Sequence, residues 1–366
     1  MSLPSRRVVL GFGLTGLAAA TVPESVEADG FLRRERCSGR SAYVGASLRY
    51  PLRAGVLPEA RASAQRPLRQ VILDPVDDVF DRRVPHGGSA VVAGALAGAD
   101  GVAWNQIRGA RRGDEPERFV WPGAEELCLA TVILQLCAEG RLSLDDRVSR
   151  FARAAPAARH MRVEDLLAHT SGLGPSGTTA ACPGGQWERS GENGRLIVQI
   201  IEAVDGRQLA QCLEARLAKP LGLDAIRFAT PGSLLPERLA APGGYIPAPG
   251  EPMASAQDMI RLWRGMLGPL SAPAQLEQRF ARLYPVGGAG GVFWGLGAMV
   301  MDRSRDVWLG IAGEAPGCAC LIIYSARRQA FMALALVGAH AEGAPGLAEA
   351  LLGVLPDASQ AQRRPS

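Results

Sequence analysis

Lysine is almost missing from this chain. Lysine and arginine together number 40 in 366 residues, and Lys219 is the single lysine. A serine hydroxyl activated by a neutral lysine amine needs that lysine, because arginine stays protonated. Lys219 sits in AKPLGLD, and the residue three before it is Arg216, so no Ser-x-x-Lys exists anywhere. A G-x-S-x-G nucleophile elbow is missing too. A net charge of +4 and the lack of a basic stripe with interleaved aromatics argue against a nucleic-acid partner. Behind the N-terminus, no apolar run reaches the roughly 20 residues a bilayer span requires. Seven cysteines make an odd number. Cys128, Cys137 and Cys212 lie in apolar helical runs and read as small buried hydrophobes. Cys318 and Cys320 form a C-x-C pair with no histidine nearby, a weak metal signal. No cofactor is implied.

What remains is ordinary globular material, 47% hydrophobic and 21% charged. The length suits one domain with an inserted subdomain, or two domains. Residues 1–28 read as a signal peptide. Ser5-Arg6-Arg7-Val8-Val9-Leu10 has the form of a twin-arginine motif, Val8 to Ala20 is short and apolar, and VEA at 26–28 suits cleavage. The expectation is export to a bacterial periplasm or exterior, with no stable membrane span after signal removal. Residues 29–69 lack a sustained period and read as irregular. Residues 356–366 read as a flexible tail.

Phe119 to Asp146, FVWPGAEELCLATVILQLCAEGRLSLDD, holds the clearest element. Leu127 to Cys137 leaves no polar face, so a core helix is predicted. Gly140 ends it at C′, where a left-handed backbone costs glycine nothing. Asp74 to Arg83 predicts a short helix. Ser89 to Ala97 and Val102 to Arg108 alternate between glycine turns and predict adjacent strands. Val163–Ala168, Leu196–Val204, Leu209–Ala218, Met253–Leu267 and Gly346–Leu355 read as helices. Ser255 is a candidate N-cap for the fourth of these.

LQLCAEGRLSLDDRV, Leu134 to Val148, resembles the LxxEGxLsLDDxV segment of the serine β-lactamase, penicillin-binding protein and esterase superfamily, in particular its class C-like branch. MRVEDLLAHTSGL, Met161 to Leu173, resembles that family's ITIRHLLTHTSGL. PGGQWERSGENGRLIVQIIEAVDG, Pro183 to Gly206, resembles PGTRFSYSNTGYALLGEIIERVTG. Pro85-His86-Gly87 and the two following strands resemble the family's first sheet strands. VFWGLGAMVM resembles its YGLGW strand, and WLGIAGEAPGCACLIIYSARRQAFMALALVG its last strands. The resemblance covers about residues 70–355. It implies an α/β (α+β) fold: a mostly antiparallel sheet built from both ends of the chain, with a helical subdomain at about 119–284.

The resemblance also places the family's catalytic positions. The serine and lysine of Ser-x-x-Lys fall at Gly123 and Glu126. The tyrosine and asparagine of Tyr-x-Asn fall at Arg189 and Gly191. The Lys/His-x-Gly element falls at Ile311 and Gly313. The oxyanion donors would be the N–H groups of Gly123 and Glu314, and a Glu314 carboxylate turned inward would oppose developing negative charge. His169 and Ser171 fall in a segment that family members use structurally, at the pocket wall. Gly123 carries no nucleophile, arginine cannot act as a base, and isoleucine can neither titrate nor hydrogen-bond through its side chain.

These departures predict an exported, catalytically inactive relative that acts by binding. Its partner would be a peptide, a peptidoglycan fragment or a protein. Glu126 and Arg189 are charge-complementary and are predicted to form a bidentate ion pair closing the former pocket, unless Glu125 is the residue facing inward. The rival readings are an active esterase, amidase or β-lactamase with an unrecognised nucleophile, such as a cysteine beside a histidine, and a scaffold subunit whose surface matters.

Overall fold

Strands from both ends of the chain form the centre of the molecule, described here by a computed structural model. It describes residues 40–43, 45, 55–84, 90–98, 100–109, 118–152, 160–174, 177, 181–232, 245–287, 290–303, 305–338 and 343–358. The twin-arginine segment, Pro85-His86-Gly87 and the tail from 359 onward lie outside these residues.

The N-terminal contribution is β1 (Arg69–Gln70), β2 (Val91–Ala97) and β3 (Val102–Arg108). Two short strands follow, β4 (Phe119–Val120) and β5 (Arg227–Phe228), which flank β6 (Pro252–Ala254) in a separate three-stranded sheet. The C-terminal contribution is β7 (Tyr284–Pro285), β8 (Val292–Trp294), β9 (Met299–Arg303), β10 (Asp306–Ala315), β11 (Cys318–Ser325) and β12 (Ala330–Val337). The main sheet runs β1-β3-β2-β12-β11-β10-β9-β8-β7. Its pairings are antiparallel except for β1 with β3. The two halves join where β2 pairs with β12, from Val91↔Val337 to Ala97↔Phe331. β2 and β12 are buried along almost their whole length, as strands covered on both faces must be.

One face is covered by α2 (Asp74–Arg83) and α9 (Gly343–Gly353). Val76, Phe80, Leu347 and Leu351 pack there against Trp104, Leu321 and Leu334. The other face carries α7 (Ala256–Leu267), backed by α1 (Val56–Gln65). Ser255 caps α7 as expected, its Oγ accepting from the Asp258 N–H at 3.1 Å. The reading of residues 29–69 as irregular is corrected by α1. Its residues favour a helix, but its buried face is only Ala60, Ser63 and Ala64, too small to make an apolar stripe, and Arg264 donates to the carbonyls of Ser63, Ala64 and Arg66 at its C-terminal end. Met253 and Ala254, predicted as the start of a helix, instead belong to β6 between β4 and β5. VFWGLGAMVM is two strands, because Gly295 to Ala298 turn the chain and Gly297 takes φ +61°.

The helical region contains α3 (Glu125–Ala138), α4 (Val163–Leu167), α5 (Gly191–Asp205) and α6 (Leu209–Leu213), which runs on into a π-helical turn at Glu214–Ala218. α3 is apolar nearly all round and stops as predicted. Gly140 sits at φ +70°, with its N–H on Cys137 O and the Arg141 N–H on Leu136 O. Buried Arg279, at the end of α8 (Pro273–Arg279), fastens α3 to the β8–β9 turn. Its guanidinium donates to Leu127 O, Thr131 Oγ1, Leu296 O and Gly297 O. α3 thereby projects its first turn, Glu125 and Glu126, toward α5 and the free end of β10.

Candidate functional site

Three separate segments meet at Gly123. It occupies the turn before α3 at φ +79°. A Cβ placed there would lie 3.2 Å from Arg189 Nη2, 3.6 Å from Ile311 Cδ1 and 3.9 Å from the Gly313 Cα. The positions that the sequence singled out from three distant stretches are therefore neighbours. Gly313 is required by packing, since a Cβ there would fall 1.6 Å from the Pro122 carbonyl oxygen. β9 pairs with β10 only as far as Gly310, so residues 311–315 have β11 as their one strand neighbour.

Glu126 is held from two sides. Its Oε1 accepts from Arg189 Nη2 at 3.0 Å, and its Oε2 lies 2.7 Å from His169 Nε2. The Glu126–Arg189 pair exists, but it is single and not bidentate, because His169 occupies the second carboxylate oxygen. Burial opposes the charge on Glu126, yet His169 and Arg189 outweigh it and hold the carboxyl below the usual range. For Arg189, burial is likewise outweighed by Glu126 and Glu125, which raise its pKa. The Arg189 side chain remains 47% exposed.

His169 is one of two non-glycine residues with positive φ among those described, at +52°. Its carbonyl accepts from the Glu188 N–H at 2.8 Å, and its ring packs edge-on against Trp187 and Trp294. Asn193 Nδ2 lies 2.9 Å from His169 Nδ1, and Asn193 Oδ1 accepts from the Ser171 hydroxyl at 2.6 Å. An amide that accepts on oxygen presents its NH₂ to the imidazole. Nδ1 is then the acceptor, and Nε2 carries the proton it donates to Glu126. Ser171, Asn193, His169, Glu126 and Arg189 form one continuous relay of hydrogen bonds.

Beside this relay lie two carboxyl groups whose pKa values the environment raises. Burial, then Glu126 and Glu251, push the Glu125 carboxyl up to about 8. Its Oε2 is buried with no hydrogen-bond partner. Glu251, fully buried, is pushed up to about 7 by burial, although the Tyr245 hydroxyl donates to it. A cavity of about 540 Å³ opens between the start of α3 and α5, and Glu125, Glu126, His169 and Arg189 all line it. Gly123, Ile311 and Gly313 do not line this cavity, so the space lies to the α5 side of the pair, while Arg189 stands over the former catalytic position. The ion pair forms one wall of an open cavity.

The other anticipated residues are less central. Gly191 begins α5 and lines the cavity without a polar group. Glu314 is exposed and is not among the residues lining the cavity. Ser171 is fully buried and bonds Asn193, supporting the wall as a structural residue. Sequence reasoning missed Asn193, Glu251 and Tyr245. Asn193 had a signal: it stands on the same helical stripe as Leu196, Ile197, Ile200 and Ile201, where a polar residue is buried for a reason. Cys128, Cys137, Cys212, Cys318 and Cys320 are free thiols, and burial raises the pKa of each. Cys182 is disulfide-bonded. Two of the chain's histidines, His86 and His340, lie outside the described residues.

A family model described as Beta-lactamase matches residues 127–353. Over 127 residues the chain is 27% identical to a penicillin-binding protein, PbpX, of Bacillus subtilis (strain 168). That match covers 30% of this chain and 32% of the relative, so it spans about a third of the relative's length. A D-stereospecific amidohydrolase from a Streptomyces species superimposes with a TM-score of 0.63 at 24% identity, over 75% of this chain and 97% of that one. D-amino acid amidase from Ochrobactrum anthropi SV3, with L-phenylalanine, gives 0.66 at 18% identity, over 80% and 99%. A penicillin-binding protein from Bacillus halodurans gives 0.61 at 16% identity, over 78% and 100%. At these identities the solved structures share the fold.

Proposed function

Because this chain belongs to the β-lactamase family, whose model spans more than half of it, we propose that it is an exported member that has lost hydrolysis and acts by binding. The observation that carries this is the Gly123–Glu126–Arg189 arrangement. Acyl transfer in such a fold needs a nucleophile, a base that takes its proton and a lining that stabilises the oxyanion. Gly123 supplies no nucleophile, and its left-handed backbone, hard against Arg189, leaves little room for a side chain. Glu126 is a tethered carboxylate with nothing at 123 to deprotonate.

Neither Ser171 nor the free thiols offer a substitute nucleophile. The Ser171 hydroxyl is buried and donates to Asn193, not to a histidine. The free thiols are held protonated by burial, whereas a reactive cysteine needs its pKa lowered. The open cavity favours a binding role over a purely scaffolding one. A peptide, a peptidoglycan fragment or a protein segment suits such a cleft. Export is supported by the twin-arginine pattern at 5–10 and by the disulfide at Cys182, a bond that oxidising compartments sustain.

The test is covalent labelling. The full chain, incubated with a fluorescent penicillin and with a fluorophosphonate, should show no adduct by gel fluorescence or intact mass. Stoichiometric labelling at any residue overturns the proposal.

A further inference from the structure

Residues 40–43 cross the helical region as a strap held at both ends. Arg40 reaches α4, where its guanidinium makes a bidentate pair with Asp165, Nη2 lying 2.7 Å from Oδ1, and also meets Glu164 Oε1 at 2.9 Å. Asp165 is 1% exposed, so a buried carboxylate receives its charge partner from the strap. At the other end the Tyr43 hydroxyl accepts from the Leu283 N–H at 3.2 Å. The Tyr43 ring stands edge-on to Tyr284, with 5.2 Å between centroids.

Between these ends the strap lies in a seat made by two glycines. The Ser41 N–H donates to Pro183 O at 2.9 Å. A Cβ at Gly184 would fall 3.0 Å from Ser41 O, and one at Gly185 would fall 2.4 Å from Ser41 Cβ. A side chain at 185 would displace the strap.

The segment beneath the strap, Ala181 to Ser190, is turn and extended chain with no ladder of its own. The N–H groups of Ala181, Gly184 and Glu188 donate to the carbonyls of Gly172, Thr170 and His169 at 3.2, 2.7 and 2.8 Å. These bonds bring Trp187 against His169 and Arg189 to Glu126. The last of them falls on the left-handed backbone of His169, a conformation that persists only where its surroundings impose it. Whatever fastens 181–185 therefore fastens the relay.

Cys182 lies in this segment and is disulfide-bonded. Of the chain's seven cysteines, Cys128, Cys137, Cys212, Cys318 and Cys320 are free. Cys37, outside the described residues, is the one cysteine left. It stands shortly before Ser41 in the chain, and the Ser41 N–H is already bonded to Pro183, the residue beside Cys182.

We propose that Cys37 and Cys182 form a disulfide that locks the strap onto the pocket wall and so sets where His169 and Arg189 stand. The two thiols exchange with a disulfide oxidant such as glutathione disulfide. Its S–S bond breaks, the protein S–S bond forms, and the oxidant leaves as two thiols carrying the two protons. In reducing surroundings only the non-covalent anchors of the strap remain, and the wall loosens. This lock serves a hydrolytic and a non-hydrolytic cleft alike, so it stands or falls apart from the function proposed above.

The full chain, oxidised with glutathione disulfide, is digested without reduction and mapped by mass spectrometry. The peptides containing Cys37 and Cys182 should be joined. Hydrogen exchange is then compared between the oxidised protein and the same protein reduced by a phosphine. Residues 163–173 and 181–189 should exchange roughly tenfold faster when reduced, while β11 and β12 stay unchanged. The His169 ring nitrogens should shift in nitrogen-15 NMR on reduction. Cys37→Ser should reproduce the reduced pattern. Gly185→Val keeps both cysteines and should speed reduction by dithiothreitol roughly tenfold, because the unseated strap admits the reductant. A map joining Cys182 to any other cysteine, or leaving Cys37 unpaired after oxidation, overturns the pairing. Exchange and ring shifts that ignore reduction overturn the lock, and this arm uses the folded wild-type chain.

Discussion

Asn193 donates to Nδ1 of His169 at 2.9 Å and thereby decides which imidazole nitrogen faces Glu126. The amide cannot turn over without withdrawing its oxygen from Ser171. Replacing Asn193 by alanine should free the tautomer and leave the Ser171 hydroxyl without its partner. The expected loss is on the order of 1–3 kcal/mol in urea denaturation. Nitrogen-15 NMR of the wild-type imidazole should show Nε2 protonated and Nδ1 bare. A proton on Nδ1 in the native protein would refute the relay.

Restoring the nucleophile should not restore activity. Gly123→Ser must place an L side chain at φ +79°, with its Cβ 3.2 Å from Arg189 Nη2. A left-handed non-glycine residue costs about 1–3 kcal/mol, so the variant should be less stable. It should also acquire no penicillin label, because Glu126 is engaged by Arg189 and His169 and no lysine replaces it. Adding Glu126→Lys and Arg189→Tyr tests whether the backbone at 123 is itself the barrier. Intact mass reads the outcome, and a stable acyl adduct on the single variant would contradict this account.

Stability should fall as pH rises through the neutral range. Glu125 and Glu251 bind protons more tightly folded, at about 8 and about 7, than at the ordinary value of 4.5. From about pH 4.5 upward the unfolded state has released these protons and the folded state has not. Unfolding free energy therefore declines as pH rises through about 7 and about 8, the folded values of Glu251 and Glu125, and levels off only above the higher of them. Glu126 acts in the opposite sense. Its depressed pKa contributes stability that is present above 4.5 and lost as pH falls through the folded value. Urea midpoints between pH 5 and 9 check the sign, and Glu125→Gln or Glu251→Gln should flatten the decline.

Arg279→Met should be severely destabilising. The guanidinium is fully buried and satisfies carbonyls of α3 and of the β8–β9 turn, with no carboxylate in the arrangement. Methionine fills much of the volume but leaves buried carbonyls unpaired, at a cost on the order of 3 kcal/mol. Circular dichroism melts should show the loss, and Arg279→Lys should not rescue it, since one ammonium cannot reach the same set of acceptors.

The patterned elements were the ones readable in sequence. α3 follows from an unbroken apolar run, β3 from alternation, and the glycine stop at 140 from backbone sterics. α1 was missed because its buried face is Ala60, Ser63 and Ala64, which leaves no apolar period although most of its residues are good helix formers. β6 was misread because a three-residue strand carries too little pattern to compete with the helix that follows. At the site, motif spacing placed Gly123, Arg189, Ile311 and Gly313 together, and the structure has them in contact. Spacing gave the charge complementarity of Glu126 and Arg189 but not its stoichiometry. The second oxygen of Glu126 goes to His169 through the left-handed backbone at 169, which no pattern of residue types announces.

The seam between β2 and β12 sets the timing of folding. Phe331 pairs with Ala97, and Val337 with Val91. The early hairpin of β2 and β3 must wait, one edge unsatisfied, until nearly the whole chain has been made. During that interval it exposes an apolar edge that invites wrong partners. Deleting the last strand should therefore leave an aggregating fragment and not a smaller domain. The main sheet is completed in a single late event, when β12 reaches β2.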